Sequence, residues 1–195
     1  MDLIENKQYS FNNFISILIL FIFFSINLHS QEKNIEIITA GSFDRNESLF
    51  PDGNILNESN NKKVHLRHDE MDVFSKRSIF FQKRNSFIAT GEVIVKQGDS
   101  INLFCDSLNY DGNTRKFSSY GSVKFINDEM ELSSNVLFFD RNLNEIFFNE
   151  NGKIIDSLST IESKKGKYFI DNKKYEFEEN VRINNPEYKI RSDMM

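Results

Sequence analysis

After Ser30 the apolar and polar residues alternate with a period of two. Val93 and Val95, then Ile101, Leu103 and Cys105, then Val123 and Phe125, then Met130 and Leu132 each take every second position. Successive side chains of a β-strand point to opposite faces, so this alternation predicts strands with one buried face. The parity changes between Cys105 and Leu108 and again between Leu132 and Leu137. A strand that keeps one face buried through such a change must bend or bulge there. Turn chemistry closes the runs at Asp52-Gly53, Asp111-Gly112-Asn113, Asp140-Arg141-Asn142 and Asp171-Asn172-Lys173, residues that tolerate positive φ or bond their own backbone. No stretch sustains a 3.6-residue period, and many positions are β-branched or aromatic, so the chain reads as all-β.

The strands recur as repeats. Segments starting at Gly91, Gly121 and Gly152 align without a gap from their second strand onward, bringing Ile101, Met130 and Ile161 together. The same frame matches Leu108, Leu137 and Tyr168, then Tyr110, Phe139 and Ile170, then Phe117, Ile146 and Phe177. The offsets are 29 and 31 residues. Extending the frame upstream by 37 places Val64, Leu66, Met71, Val73 and Phe80 over Ile101, Leu103, Leu108, Tyr110 and Phe117, with Gly53 over Gly91. Four units therefore begin near 53, 91, 121 and 152. A fifth starts at Asn180-Val181 and sets Ile190 over Leu103; the chain stops inside it, which predicts a domain cut short at its C-terminal end. A two-stranded unit of this size cannot cover its own apolar face and buries it against its neighbours, as in a β-solenoid. Its end strands carry backbone donors and acceptors open to a further strand.

Residues 1 to 30 differ from this pattern. Phe14 to Leu28 is an apolar run broken only by Ser16, Ser25 and Asn27. At about 1.5 Å per residue it is short for a roughly 30 Å hydrocarbon core. It has the length of a secretory signal helix, with cleavage after Ser30; an uncleaved N-terminal anchor is the alternative. These 30 residues hold two acids and one base, so a formal net charge of −5 becomes −4 over residues 31–195, the predicted mature domain. That balance excludes a concentrated basic face for nucleic acid. One cysteine excludes an internal disulfide, and 20 Phe with 6 Tyr exclude a disordered acidic chain.

Catalytic chemistry has little to stand on, and the reading is a non-enzyme without cofactor. His65 and His68 flank the approach to Asp69, yet residues three apart on a strand face opposite sides, so no metal site is expected. Cys105 is replaced by Ser134, Lys165 and Ser192 at equivalent repeat positions and reads as a small strand residue. The recurring aspartates lack calcium β-roll spacing and read as turn formers. Lys76-Arg77 with Lys83-Arg84 reads as an exposed charged loop, with lipid phosphate as the other reading.

The Gly-x-Val starts, the alternating strand closing in Cys-Asp-Ser-Leu-Asn-Tyr-Asp at 105–111, and the Val181-to-Tyr188 stretch followed by Ser192-Asp193 resemble the OstA-like proteins. These are the organic-solvent-tolerance N-terminal domains of periplasmic lipopolysaccharide-transport proteins, and the similarity runs from about Ile35 to Met195. The resemblance implies a β-jellyroll, a taco-like folded sheet with a greasy groove, and domains joined end to end into a bridge for lipopolysaccharide. The inward positions Val93, Val95, Ile101, Leu103, Leu108, Tyr110, Phe117, Val123, Phe125, Leu132, Leu137, Phe139 and Ile146 would line that groove. Val181, Ile183, Tyr188 and Ile190 would present an edge to a partner β-domain of the bridge or of the outer-membrane assembly machinery. The implied location is the periplasm, possible association with the outer membrane included. An alternative of another class is a structural solenoid scaffold of the cell envelope, whose dense Phe content fills the groove and leaves no lipid site.

Overall fold

A computed structural model describes residues 34–195, so the predicted signal segment lies outside the described residues. The strands in chain order are β1 (Glu36–Thr39), β2 (Ser42–Arg45), β3 (Asn54–Asn57), β4 (Val64–His68), β5 (Met71–Ser75), β6 (Arg77–Phe81), β7 (Ser86–Gln97), β8 (Ile101–Asp111), β9 (Lys116–Ile126), β10 (Glu131–Asp140), β11 (Glu145–Phe148), β12 (Gly152–Ile155), β13 (Thr160–Ser163), β14 (Lys165–Phe169), β15 (Lys174–Asn184) and β16 (Lys189–Met194). A single 3-10 turn, Gln82–Arg84, links β6 to β7. All sixteen strands belong to one antiparallel sheet.

The sheet is creased. Register slips between Thr90 and Val93 in β7, Phe104 and Ser107 in β8, Ser134 and Val136 in β10, and Glu178 and Val181 in β15. Elsewhere the pass is broken into two strands on the same line, as between β5 and β6, β11 and β12, or β13 and β14. Consecutive residues turn left-handed at Gly91-Glu92, Gly121-Ser122 and Glu179-Asn180, with φ between 46° and 79°. Glycine takes the first of these places at no steric cost, and Gly121 is required for a second reason: a Cβ there would lie 2.3 Å from Asp106 Oδ2. The parity changes in β8 and β10 fall on this line, as the alternation predicts.

The crease divides the sheet into two leaves, and the chain meanders across it on every pass. One inner row of the first leaf runs through direct register partners: Leu66, Val73, Val95, Leu103, Phe125, Leu132, Ile154, Ile161, Ile183 and Ile190. The matching row of the second leaf is Phe80, Phe87, Tyr110, Phe117, Phe139, Ile146, Tyr168 and Tyr175. A mostly aliphatic face thus meets a mostly aromatic one, and the two enclose one continuous apolar core. Each large side chain enclosed there contributes about 1.5 to 3 kcal/mol at roughly 25 cal/mol per Å².

The repeat frame holds from Gly91 onward, and Ile190 sits in the same row as Leu103 as read from the sequence. Upstream it needs correcting. Met71 and Ile101 both pair with Gln97, and Val73 and Leu103 both pair with Val95, so the offset is 30 rather than 37. Val64 and Leu66 belong to the preceding pass. Gly53 is not at the crease but in the turn before β3, where a Cβ would meet the Phe81 ring at 2.8 Å. The bend of that pass falls instead between β3 and β4, in a loop closed by the Ser59–Lys62 bridge.

Candidate lipid-binding interior and edge strands

The candidate groove residues converge between the leaves. Val93, Val95, Leu103, Val123, Phe125 and Leu132 come from the first leaf; Leu108, Tyr110, Phe117, Leu137, Phe139 and Ile146 come from the second, and all are buried. Ile101 is half-buried at the end of its row. The leaves touch directly, with Phe125 of the first edge-on to Phe139 of the second at 6.4 Å; Phe139 in turn stands edge-on to its neighbour Phe117 on the second leaf at 5.2 Å. Side chains therefore occupy the interior. Phe148 fills the space over Gly152 and Gly166, where a Cβ would stand 2.3 and 2.4 Å from its ring.

Opposite the crease the leaves end in turns, and polar contacts hold these rims together. The Tyr110 hydroxyl on the second leaf accepts from Arg141 Nη1 at 2.7 Å and lies 2.5 Å from His68 Nδ1 on the first. Arg141 Nε donates to Gln97 Oε1 at 2.8 Å, and Arg115 pairs with Asp69 at 2.6 Å. Further along, Asn127 and Glu129 of the first leaf reach Tyr168, and Glu129 also pairs with Lys173. Burial pushes the Tyr110 hydroxyl pKa up, so it keeps its proton at neutral pH. None of these rim contacts was legible in the sequence, because the partners lie 31 to 46 residues apart in the first group. Leu66, Val73, Phe80, Phe87, Ile154 and Tyr168 also belong to the interior; the 30-residue offset is the signal that would have set Val73, Phe80 and Phe87 over Leu103, Tyr110 and Phe117.

The edge strand lies one strand further along than the sequence reading placed it. Val181 and Ile183 sit in β15, which is paired on both sides, and they face the core. Of the four candidate edge residues Ile190 alone is on β16, the outermost strand at this end; Tyr188 is exposed in the turn before it. At the other end β1 and β2 form the borders of the two leaves, with Ile37, Ile38 and Phe43 exposed.

The residues weighed for catalysis take structural places. His65 faces outward, bonds Asp72 at 2.6 Å and stacks on Phe74, whereas His68 faces inward, so the two do not converge. Cys105 is buried, and its thiol is pushed up to about 12 by burial. Asp111 and Asp140 each accept two backbone amides of their own turns. The basic cluster is split: Lys76 pairs with Glu92 at the crease, while Lys83 pairs with Asp52 and Arg84 covers the Phe81 ring near the rim.

A creased antiparallel sheet whose passes cross one line and whose two leaves close over an apolar interior defines the class of all-β domain. The family model for OstA-like protein matches residues 32–193, and the chain belongs to that family. Among solved structures it is similar to LptH of Pseudomonas aeruginosa, described as the LptA homologous periplasmic component of the conserved lipopolysaccharide transport device. The match has 15% identity and a TM-score of 0.55, covering 58% of this chain and 93% of that one. At this identity the likeness establishes the fold. No curated protein matches in sequence.

Proposed function

We propose that this protein is a periplasmic, non-enzymatic segment of a lipopolysaccharide-transport bridge or of the outer-membrane assembly machinery. Acyl chains lodge between the leaves, shielded by the aliphatic row on one side and the aromatic row on the other. The continuity of the aliphatic row from β4 to β16 and of the aromatic row from β6 to β15 carries the reading, because a passage for alkyl chains needs an apolar wall without a polar break. Opening the rims exposes that wall, and the chains replace side-chain contacts of the same chemistry at small net cost. The free borders, β16 at one end and β1 with β2 at the other, pair with strands of neighbouring β-domains. Family membership and the likeness to LptH support this reading. The test is a photocrosslinker placed in cells at Phe125 or Phe139. Lipopolysaccharide adducts are expected, and their absence from every inward position overturns the groove.

One observation favours a second reading, a scaffold without lipid: the interior side chains are fully enclosed, Leu103, Leu108, Phe125, Leu132, Leu137 and Ile146 being 0% exposed. Native mass spectrometry of the purified protein separates the two, since a transport segment retains lipid and a filled solenoid does not.

A further inference from the structure

Cross-strand charges on the outer faces of this sheet are opposite in sign almost everywhere. Arg67 faces Asp72, Lys116 faces Asp140, and Lys124 and Lys167 pair diagonally with Glu131 and Glu145. The last two strands break this rule. Arg182 on β15 stands directly opposite Arg191 on β16, and Lys189 lies two residues along β16 on the same face. Like charges placed opposite one another destabilise a strand pair. Among the described residues no carboxylate comes within ion-pair distance of any of the three, and their side chains make no hydrogen bond. The nearest candidate, Glu162, faces Arg182 in register but turns to Lys153 at 3.9 Å.

Three cations outside any ion pair thus gather on one face, with Glu162 as the one carboxylate beside them, in a chain whose net charge is −5. They line a shallow outer concavity of about 410 Å³ together with Lys153 and Glu162. Guanidinium groups present planar forks of donors that match the oxygens of a phosphate, and two on neighbouring strands can grip one tetrahedral anion from two sides. The sequence points to a different basic cluster, at 76–84, in which Lys76 and Lys83 are each paired with a carboxylate of this chain.

We infer that Arg182 and Arg191, assisted by Lys189, form a binding site for a phosphate group on the outer face of the first leaf. Bound anion removes the repulsion between the facing arginines and ties β16 to β15. The site is separate from the interior and stands whether or not lipid occupies the core.

The test follows the arginine Nε–Hε NMR signals of the full chain while sodium phosphate is added at constant ionic strength, with sodium chloride as control. Saturable movement of the Arg182 and Arg191 signals is expected in phosphate alone. Arg182→Gln and Arg191→Gln should each weaken binding at least about tenfold, the loss of a charge-assisted contact, whereas Lys96→Gln on the same leaf should leave it unchanged. Equal movement in chloride, or movement without saturation, overturns the site. Sedimentation with phosphatidylcholine vesicles, with and without phosphatidic acid, identifies the source. Pelleting that needs phosphatidic acid and both arginines assigns a lipid headgroup, and phosphate binding without pelleting assigns a free phosphate. Polyglutamate that displaces phosphate at equal or lower concentration overturns the proposal in favour of an acidic protein surface.

Discussion

Phe125 and Phe139 meet edge to face across the two leaves, their rings 6.4 Å apart and 85° to one another, although each belongs to a different strand and a different half of the sheet. Their contact joins the leaves at mid-core. Alanine at either position should cost about 3 to 5 kcal/mol. Part of each loss is the shared contact, so the double variant should fall short of the sum by about 0.5 to 1.5 kcal/mol. Urea unfolding of the four proteins measures this, and strict additivity would show that the leaves do not depend on one another here.

Gly166 and Phe148 form a second matched pair. The ring stands where a Gly166 Cβ would go, so Gly166→Ala should destabilise by about 1 to 3 kcal/mol through overpacking. Trimming the ring relieves the clash: in a Phe148→Ala background the same change should cost much less. An equal cost in both backgrounds would mean that the glycine serves its backbone instead.

Acid should weaken the fold over a defined range. Hydrogen bonds from Lys164 and Lys165 hold the Glu179 carboxyl down at about 2, against an ordinary value of 4.5. Lys116, with two turn amides, lowers Asp140 as well. As pH falls below 4.5 the unfolded chain takes up protons before the native one does, so stability declines toward pH 2 and is regained above 4.5. Thermal melts across that range should show the decline. A Lys164→Gln, Lys165→Gln variant should show a shallower one, and parallel curves would remove Glu179 from the explanation.

The rims can be fastened deliberately. Cysteines replacing Asp69 and Arg115 stand on opposite leaves, and a short bismaleimide between them should hold the leaves shut. On the proposed reading, most lipopolysaccharide loading is lost on bridging and retained in the unbridged variant. Cys105 should not interfere, because its buried, fully protonated thiol is a poor nucleophile near neutral pH. Mass spectrometry of the labelled native protein checks that, and full loading of the bridged form would place the lipid's route elsewhere.

Most of the sheet was legible from residue alternation alone, for a physical reason. From Gly91 onward the inward faces are apolar at every second position, and left-handed backbone at Gly91-Glu92, Gly121-Ser122 and Glu179-Asn180 marks the bends of β7, β9 and β15. The first unit hid its bend in a loop, between Asn57 and Val64, with no glycine to announce it, and the frame slipped by seven residues. The strand borders were shifted by one for a similar reason: Val181 and Ile183 alternate as an edge strand does, and only pairing reveals that β16 lies outside them. Contacts such as Tyr110 with His68 and Arg141 depend on which turns share a rim, and that is fixed by the crease rather than by any local pattern.

That every pass crosses the crease makes length an adjustable quantity. Each 30-residue unit contributes two strands, and neighbouring strands lie about 4.8 Å apart, so one unit extends the sheet by roughly 10 Å. The rows on both leaves continue through the added strands in register. Removing or inserting a whole unit changes how far the domain reaches and leaves its cross-section the same; the span between two attachment points is then set by counting repeats.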